Sequence, residues 1–523
     1  MAILQNGVKM TNEPPKGLRA NLKNTFYKMT NEKLNVTNKP EKYKRLFFGL
    51  AFFHAIVIER KKYGALGWNI PYAFNETDLA ICDAQLQLYL NMYDEVPYSV
   101  LNLLTSFINY GGRVTDDKDL RTIDIILKAY YRPEVLKDGY KLSSSGTYVT
   151  PTIEDEERPL DSYNAYINSL PIQPDPEVFS MHKNADITFA ENETYEMMDA
   201  ILNLSAKTGG GGGASREDQI LATARSIEAR LPMPDEGSME EDATHLKFPI
   251  MYHESMNTVL RQEQQKFNRL LRVLKSTLHD VQLAVQGLAV MSSDLEDVAN
   301  SFFNQWVPSV WEAVAYPSLK PLAAWVTDLF DRVKMITNWV EGGTPIVFWI
   351  SGFFFPQAFL TGTKQNFARK YQLPIDTISF NFNVRDGFKT NGSDIQEGPS
   401  DGCYIWGLML EGARWSYEEH TLADSLPRQL YVPLPVMHLD PLQNRPYTQS
   451  GIYRCPIYKT LTRAGTLSTT GHSTNFVAWT ELPSGTPTIF RPNLVSETNV
   501  AMQLADSDKW IRAGVALFCA LRF

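Results

Sequence analysis

The stretch from His253 to Phe303 contains no proline and only one glycine, Gly287. Its apolar residues recur at spacings of three and four, which is the period of one face of an α-helix. They are Val259, Leu260, Phe267, Leu270, Leu271, Leu274, Leu278, Val281, Val285, Leu288 and Val290. Because an average helix of a globular protein is several times shorter, the pattern predicts either a long helical pair or one bent helix.

One stripe of this stretch is apolar and the other faces are polar. The stripe, at spacings of seven, four and three, consists of Leu260, Phe267, Leu271 and Leu274. The polar residues of the same turns are Arg261, Gln264, Gln265 and Arg272. A helix with this distribution packs its apolar stripe against a core, so we expect the first set to be buried and the second to face water.

The protein is helical before Tyr371 and rich in strands after it. Further helices are expected at 18–29, 42–63, 78–93, 99–108, 115–131, 193–204, 218–231, 319–341 and 357–370. Short runs rich in Ile, Tyr, Trp, Val and Thr then predict strands at 377–384, 404–410, 430–431, 435–439, 451–458, 474–480 and 514–521. The expected fold class is α+β multidomain, with a helical bundle, then long helices, then a β-sandwich or barrel-like unit.

Charge and cysteine spacing exclude several classes of partner. The sequence has 50 Lys and Arg against 59 Asp and Glu, a formal charge of −9. It therefore repels polyanions at long range, which disfavours nucleic acid and the bare, acidic microtubule wall as partners. Cys82, Cys403, Cys455 and Cys519 lie far apart without zinc or redox spacing, so we expect buried thiols of a reducing compartment.

Membrane and secretory signals are also missing from the sequence. The longest apolar runs, 47–58 and 346–355, are shorter than the roughly 18 to 20 residues of a membrane span. The first residues lack a basic region followed by an apolar stretch and a cleavage site. We therefore expect no membrane partner and a location in the cytosol or a space continuous with it.

The sequence offers no catalytic residue and no metal ligand set. It contains no phosphate-binding GxxxxGK[ST] loop, no GxSxG nucleophile motif and no HExxH pair. The glycine run 209–213 is followed by Ala214 and Ser215 instead of a lysine, which favours a flexible linker. His472 and Ser473 are adjacent, but neighbours on a strand point to opposite faces and cannot share a proton.

Arg113 is the one candidate for a cofactor contact. It follows two glycines in the segment Asn109–Asp116 and precedes a predicted helix. An arginine at this kind of position in an AAA+ lid can touch the terminal phosphates of a nucleotide as a sensor. The alternative is a salt bridge to an acid such as Asp116 or Asp119, and without a phosphate loop we favour the salt bridge.

Several blocks together resemble the C-terminal end of a dynein heavy chain, and the resemblance runs nearly from end to end. The blocks are 10–22, 64–72 (GALGWNIPY), 109–116, 184–188, 254–257, 348–355 (FWISGFFF), 410–415 and 465–477 (GTLSTTGHSTNFV). The last block resembles axonemal rather than cytoplasmic heavy chains, and among axonemal types the inner arm is preferred. One departure lies between Pro483 and Trp510, where Ser484–Lys509 is longer than expected for the family.

The resemblance implies five regions. Residues 1–28 would be a remnant of the large subdomain of the sixth AAA+ module, 29–135 its helical lid and 136–180 a linker. Residues 181–372 would be the helical part of the dynein C-terminal domain. Residues 373–523 would be its β-rich part.

The resemblance also implies a function. The protein would be a structural and regulatory portion of an ATP-driven, minus-end-directed microtubule motor for ciliary or flagellar movement, with no chemistry of its own. ATP and Mg²⁺ would belong to the parent motor, as would the partners: the remaining AAA+ ring and the intermediate, light and light intermediate chains. The fragment itself would not bind microtubules. An alternative is a stand-alone interaction protein that docks through the aromatic segment Phe348–Phe355.

Overall fold

A computed structural model describes residues 7, 15–204, 215–231, 239–444, 451–465, 474–484 and 506–522. The protein divides into two compact units, one of residues 1–195 with 489–514 and the other of residues 196–488 with 515–523. The first unit is helical where it is described. The second combines helices with β-sheets, so the predicted α+β class is confirmed.

Residues 15–204 contain the six helices predicted there and two that were not predicted, at Asn31–Leu34 and Pro159–Ser169. In order, the eight helices are α1 (Leu18–Tyr27), α2 (Asn31–Leu34), α3 (Pro40–Glu59), α4 (Glu76–Met92), α5 (Tyr98–Leu103), α6 (Asp117–Leu127), α7 (Pro159–Ser169) and α8 (Ala185–Leu204). The division between the units falls within α8. After α5 the backbone continues as a π-helical turn, Leu104–Asn109, which explains why the periodic pattern extends to residue 108.

Local capping explains where the helices of this unit begin. The Asn75 side chain accepts a hydrogen bond from the backbone of α4, and the Asp78 side chain accepts one from the Asn75 N–H, which forms a capping box. α3 begins at Pro40, whose missing N–H costs nothing in the first turn. Asp116 caps α6, which begins two residues after the predicted start at residue 115.

α3 is the centre of the first hydrophobic core. Apolar residues cover most of its circumference and are buried from Leu46 to Val57, as expected for a helix surrounded by others. Phe26 of α1 packs against Phe48 of α3, and the ring of Tyr163 of α7 stacks on Phe48. The segment 136–180, predicted to be a linker, thus adds α7 to this core.

The predicted long helical segment of the second unit is a pair of helices. The helices of this unit after α8 are α9 (Arg216–Glu228), α10 (Glu241–Lys247), α11 (Ser255–Val285), α12 (Ser293–Asn304), α13 (Ser309–Glu312), α14 (Leu322–Gly342) and α15 (Pro356–Tyr371). Gly287 has a positive φ of 75° between α11 and α12, a conformation that ends a helix readily.

The apolar stripe of α11 is buried as predicted. Leu260, Phe267, Leu271 and Leu274 belong to the core, and the ring of Phe267 contacts those of Tyr316 and Phe354. The expectation for Gln264 is wrong, because Gln264 is buried and its amide donates to the Glu240 carbonyl and the Thr244 hydroxyl. α10 packs against α11 at this point and covers the polar side of the stripe.

Eleven strands are described, and all lie in the second unit. They are β1 (Val347–Trp349), β2 (Ile378–Arg385), β3 (Cys403–Trp406), β4 (Met409–Glu411), β5 (Arg414–Ser416), β6 (Thr421–Ala423), β7 (Tyr431–Pro433), β8 (Val436–Gln443), β9 (Ile452–Thr460), β10 (Phe476–Pro483) and β11 (Ala516–Ala520). The predicted run 404–410 is two strands, because Gly407 adopts a φ of 98° and its position lies against the Trp349 ring.

The strands form two open sheets and one hairpin. One sheet has the order β1-β3-β8-β2, the other has the order β10-β9-β11-β4-β7, and β5 pairs with β6. Among the described residues neither sheet closes on itself, so the barrel-like alternative is not realised. The last strand, β11, lies between β9 and β4, parallel to the first and antiparallel to the second.

Three features singled out in the sequence fall wholly or largely outside the described residues. They are the glycine run 209–213, the pair His472 and Ser473, and most of the unexpectedly long segment Ser484–Lys509, of which residues 485–505 are not described. The expectations for a linker at the glycine run and for the His–Ser pair therefore stay predictions.

The last helix returns to the first unit. α16 (Asp506–Arg512) belongs to that unit and packs against α6. Gly514 follows with a φ of 72°, and a Cβ there would lie 2.5 Å from the Leu66 carbonyl oxygen. Glycine is therefore required where the backbone leaves α16.

The face of α11 can be tested by two substitutions. Phe267→Ala should lower the free energy of unfolding by about 3 to 5 kcal/mol, because it removes a fully buried ring. Arg272→Ala should cost within about 0.5 kcal/mol, because its salt bridge to Glu241 is exposed. Denaturant unfolding of both variants gives the comparison, and an equal or larger loss for Arg272→Ala would contradict the assignment.

Candidate functional site around Arg113

Two segments singled out in the sequence, 64–72 and 109–116, are held by acidic residues at the starts of α4 and α6. Trp68 of the first segment is buried and donates its indole N–H to the Val57 carbonyl, 2.9 Å away. Gly67 lies against Arg60, the residue directly after α3, because a Cβ at Gly67 would be 1.9 Å from the Arg60 carbonyl oxygen. The first segment is thus fixed on the central helix.

Asp119 of α6 holds the second half of the 64–72 segment. Its carboxylate accepts hydrogen bonds from the backbone N–H of Asn69 at 3.0 Å, the N–H of Ile70 at 3.2 Å and the Tyr72 hydroxyl at 2.9 Å. Burial, and secondarily the neighbouring Asp116, raises the pKa of Asp119 to about 7, while the three donors lower it. Asp119 is therefore a structural acceptor, already engaged on both oxygens.

Asp116 connects the two segments. Its carboxylate caps α6 through the N–H groups of Lys118 and Asp119, and it also accepts from the Asn69 side chain at 3.2 Å. The Asp116 N–H donates to the Tyr72 hydroxyl. Since Asp116 and Asp119 are both occupied in this way, neither is the salt-bridge partner of Arg113.

Arg113 pairs instead with Asp78 of α4, which the sequence did not point to. The Arg113 Nε donates to Asp78 Oδ1 at 2.8 Å, and Asp78 Oδ2 accepts from the Asn75 N–H at 3.0 Å. Asp78 is buried, whereas the Arg113 side chain is 40% exposed. The ion pair occupies Nε and leaves the terminal nitrogens of the guanidinium without a hydrogen bond to the described part of the protein.

The two glycines before Arg113 differ in their surroundings. A Cβ at Gly111 would lie 2.3 Å from the Ser106 carbonyl oxygen, so only glycine fits there, while Gly112 faces open space. Beside them the Tyr110 hydroxyl bonds to His54 Nδ1 at 2.8 Å. Burial lowers the pKa of His54 to about 4, so its imidazole is neutral near pH 7.

Arg60 is the most deeply buried charge of this region. Its guanidinium donates to the carbonyls of Phe179, at 2.6 Å, and Gly67, at 3.3 Å, and it lies over the Trp68 ring. Burial lowers its pKa to about 10, and the charge of Asp119 opposes this shift. These contacts join the end of α3 to the segment before α8.

The four cysteines differ in their exposure. Cys82, Cys403 and Cys455 are buried as predicted, and Cys519 is partly exposed. Within the described ranges no three His, Cys, Asp or Glu side chains are placed to hold a metal ion. None of the described helices is long and apolar enough to cross a membrane.

The aromatic segment Phe348–Phe355 is not the exposed patch that the stand-alone alternative requires. Phe348, Ile350 and Phe353 are buried, and Phe355 is its one exposed residue. Glu263 of α11, which is 1% exposed, accepts the N–H groups of Phe354 at 2.5 Å and Phe355 at 2.9 Å. The segment is therefore packed inside the second unit.

Two domains of known families match most of the sequence. Residues 191–519 match the C-terminal domain of dynein heavy chains. The protein belongs to the dynein heavy chain family. Residues 43–185, which contain Arg113 and its network, match the AAA lid domain of the same family.

Individual relatives are much longer than this chain. It is 47% identical over 525 residues to dynein axonemal heavy chain 1 of Rattus norvegicus, covering 100% of this chain and 11% of the rat protein. It is 47% identical to dynein axonemal heavy chain 1 of Homo sapiens and 45% identical to dynein axonemal heavy chain 3 of Mus musculus. In both comparisons the match covers 12% of the relative. The protein thus spans about an eighth to a ninth of the relatives it matches.

Sequence reasoning missed the structural roles of three carboxylates, those of Asp78, Asp119 and Glu263. Asp78 stands three residues after Asn75, which is the spacing of a capping box. That signal was available in the sequence. The second role of Asp78, as the partner of Arg113, depends on tertiary packing. Glu263 on the buried side of α11 had no local signal.

The role of Asp119 can be tested by its removal. Asp119→Ala should lower the free energy of unfolding by about 3 kcal/mol or more, because two buried donors and one partly buried donor lose their acceptor. Asp117→Ala is the control, since Asp117 lies in the same turn and is exposed, and its change should stay near about 0.5 kcal/mol. Equal losses in denaturant unfolding would show that the 64–72 segment does not depend on Asp119.

Proposed function

We propose that the protein is the C-terminal structural and regulatory portion of an axonemal dynein heavy chain, an ATP-driven, minus-end-directed microtubule motor of cilia and flagella. Its location would accordingly be the axoneme. The lid and the C-terminal domain would couple movements of the AAA+ ring mechanically, with no chemistry of their own. The relatives that support this proposal are axonemal heavy chains by name.

The observation that carries this proposal is an apolar face on the lid that no described residue covers. It is formed by α4, α5 and the π-helical turn, and its residues are Ile81, Leu88, Met92, Leu103, Phe107 and Ile108. Their exposed fractions lie between 41% and 63%. The Asn109 amide donates to Gln85 Oε1 at 2.7 Å and joins the turn to α4, so these residues lie on adjoining elements.

An exposed apolar surface of this kind indicates an interface. The occupant we propose is the remaining AAA+ ring of the same heavy chain, because relatives contain roughly seven to eight times as much sequence outside the matched region. ATP and Mg²⁺ would bind to other modules of that ring. Intermediate, light and light intermediate chains would be partners of the complete complex.

The domain boundaries stay part of the proposal. Residues 1–28 would be the remnant of the sixth module and 29–135 the lid, followed by a linker to 180. The C-terminal domain would have a helical part, 181–372, and a β-rich part, 373–523. The stand-alone interaction protein is not favoured, because the aromatic segment on which it depends is buried.

A sensor-like contact of Arg113 also stays a prediction. Asp78 holds Nε and so orients the guanidinium, whose terminal nitrogens make no hydrogen bond within the described ranges. This geometry suits an arginine that reaches for a phosphate of a neighbouring module. It equally suits a partly exposed salt bridge with no further role.

The ring interface is testable in the complete heavy chain. Leu88→Asp with Ile108→Asp places two charges on the apolar face and should slow microtubule gliding several-fold, because the lid would dock less firmly. Ile172→Asp is the control, since Ile172 is also exposed but lies in the loop after α7. The double variant of the 523-residue protein should keep its unfolding midpoint, and unchanged gliding would contradict the interface.

Nucleotide binding gives an independent test. The 523-residue protein should not bind Mg-ATP or Mg-ADP at micromolar concentrations, because its sequence has no phosphate loop or phosphate-binding lysine. Isothermal titration calorimetry measures this directly. A saturable micromolar signal would show that the protein has a nucleotide site of its own.

A further inference from the structure

Two lysines converge on one exposed ring in the second unit. Phe355, the residue before α15, is 41% exposed. The Nζ of Lys266, on α11, lies 4.9 Å from its ring centroid, and the Nζ of Lys459, on β9, lies 5.5 Å from it. Elements distant in sequence therefore place two ammonium groups on the same aromatic side chain.

Glu263, whose charge interacts with those of both lysines, does not neutralise them by direct contact. Both oxygens of Glu263 accept backbone N–H groups of Phe354 and Phe355, and the residue is buried. Within the described ranges neither Lys266 nor Lys459 forms a salt bridge. Burial, together with the charge of Lys266, lowers the pKa of Lys459. The charges of Cys519 and Glu263 oppose this shift. Like charges held together without a paired anion indicate a site for an anionic group.

A groove of about 330 Å³ lies between α11 and α15 and is lined in part by the same phenylalanine. Its lining is rich in amides and hydroxyls, contributed by Ser255, Thr258, Gln262, Gln357, Thr361 and Gln365. The Gln357 amide nitrogen donates to the Phe476 carbonyl, whereas its buried Oε1 accepts from no described donor. Gln357, which lines the groove, therefore carries an acceptor that no described residue uses.

We propose that this groove binds an extended acidic polypeptide segment, with a side-chain carboxylate between Lys266 and Lys459 and a backbone N–H donated to Gln357. An extended polypeptide has donors and acceptors along its length, which matches a lining of amides and hydroxyls. The lysines supply charge complementarity for a carboxylate. Nucleic acid fits less well, because the protein as a whole has a charge of −9.

The groove and the apolar lid face are different surfaces, so this proposal does not depend on docking to the ring. The probe is a fluorescein-labelled peptide of ten glutamates, titrated with the 523-residue protein and followed by fluorescence anisotropy. We expect saturable binding that weakens with salt. Lys266→Gln with Lys459→Gln should raise the Kd about tenfold.

A matched control distinguishes the effect of losing these two lysines from the effect of lowering the net charge. Lys334→Gln with Lys389→Gln removes two exposed lysines of the same unit and should leave the Kd within about twofold. Gln357→Leu should weaken binding several-fold, while Gln265→Leu, an exposed glutamine of α11 outside the groove, should not. Unfolding midpoints of all variants check that they are folded.

Three results would overturn the proposal. The first is no saturable binding of the peptide by the wild-type protein. The second is an equal loss in the two double-lysine variants, which would mean that only overall charge matters. The third is equally tight binding of a uridylate decamer through the same lysines, which would identify a polyanion surface and not a polypeptide groove.

Discussion

The buried carboxylate of Glu263 is the interaction on which the second unit depends. Burying an ionised carboxylate costs several kcal/mol unless its oxygens are hydrogen-bonded. Here the donors are two consecutive N–H groups, of Phe354 and Phe355, directly before α15. Burial still raises the pKa of Glu263 to about 6. The beginning of α15 is thus fixed to the middle of α11, and α15 in turn packs against β2, β8 and β10.

The first unit uses the same physical device at several places. Asp78, Asp116 and Asp119 stand in or beside the first turn of a helix, and each accepts backbone N–H groups of that helix or of a neighbouring loop. Each carboxylate also reaches a second segment: Asp78 pairs with Arg113, and Asp116 and Asp119 hold the 64–72 segment. The segments 64–72 and 109–116 of the lid are therefore held in place by packing and hydrogen bonding.

This architecture fits a part that transmits movement. In the lid Asp78, Asp116 and Asp119 are engaged in structural hydrogen bonds, and the imidazole of His54 is buried. The surface carries an apolar face on the lid and, in the second unit, a groove beside two lysines. Both are features of surfaces that other polypeptide segments cover.

The sequence by itself determined the elements, because their signals are local. The 3.6-residue period of α11, the cap of α4 and the dense strand residues after Tyr371 each act over a few neighbours, and the structure contains these elements within a few residues of the predicted bounds. The long resemblance determined the family, since ordered blocks occur along the whole sequence.

Only the tertiary structure decided which partners meet. Arg113 pairs with Asp78 and not with its sequence neighbours, because those two acids are already engaged by Asn69, Ile70 and Tyr72. Gln264 is buried because α10 packs over a face of α11 that the helical period predicts to be exposed to solvent. Lys266 and Lys459 meet over Phe355 although they are almost two hundred positions apart. Contacts between distant segments follow from how whole faces pack against one another, and no short pattern along the sequence contains that information.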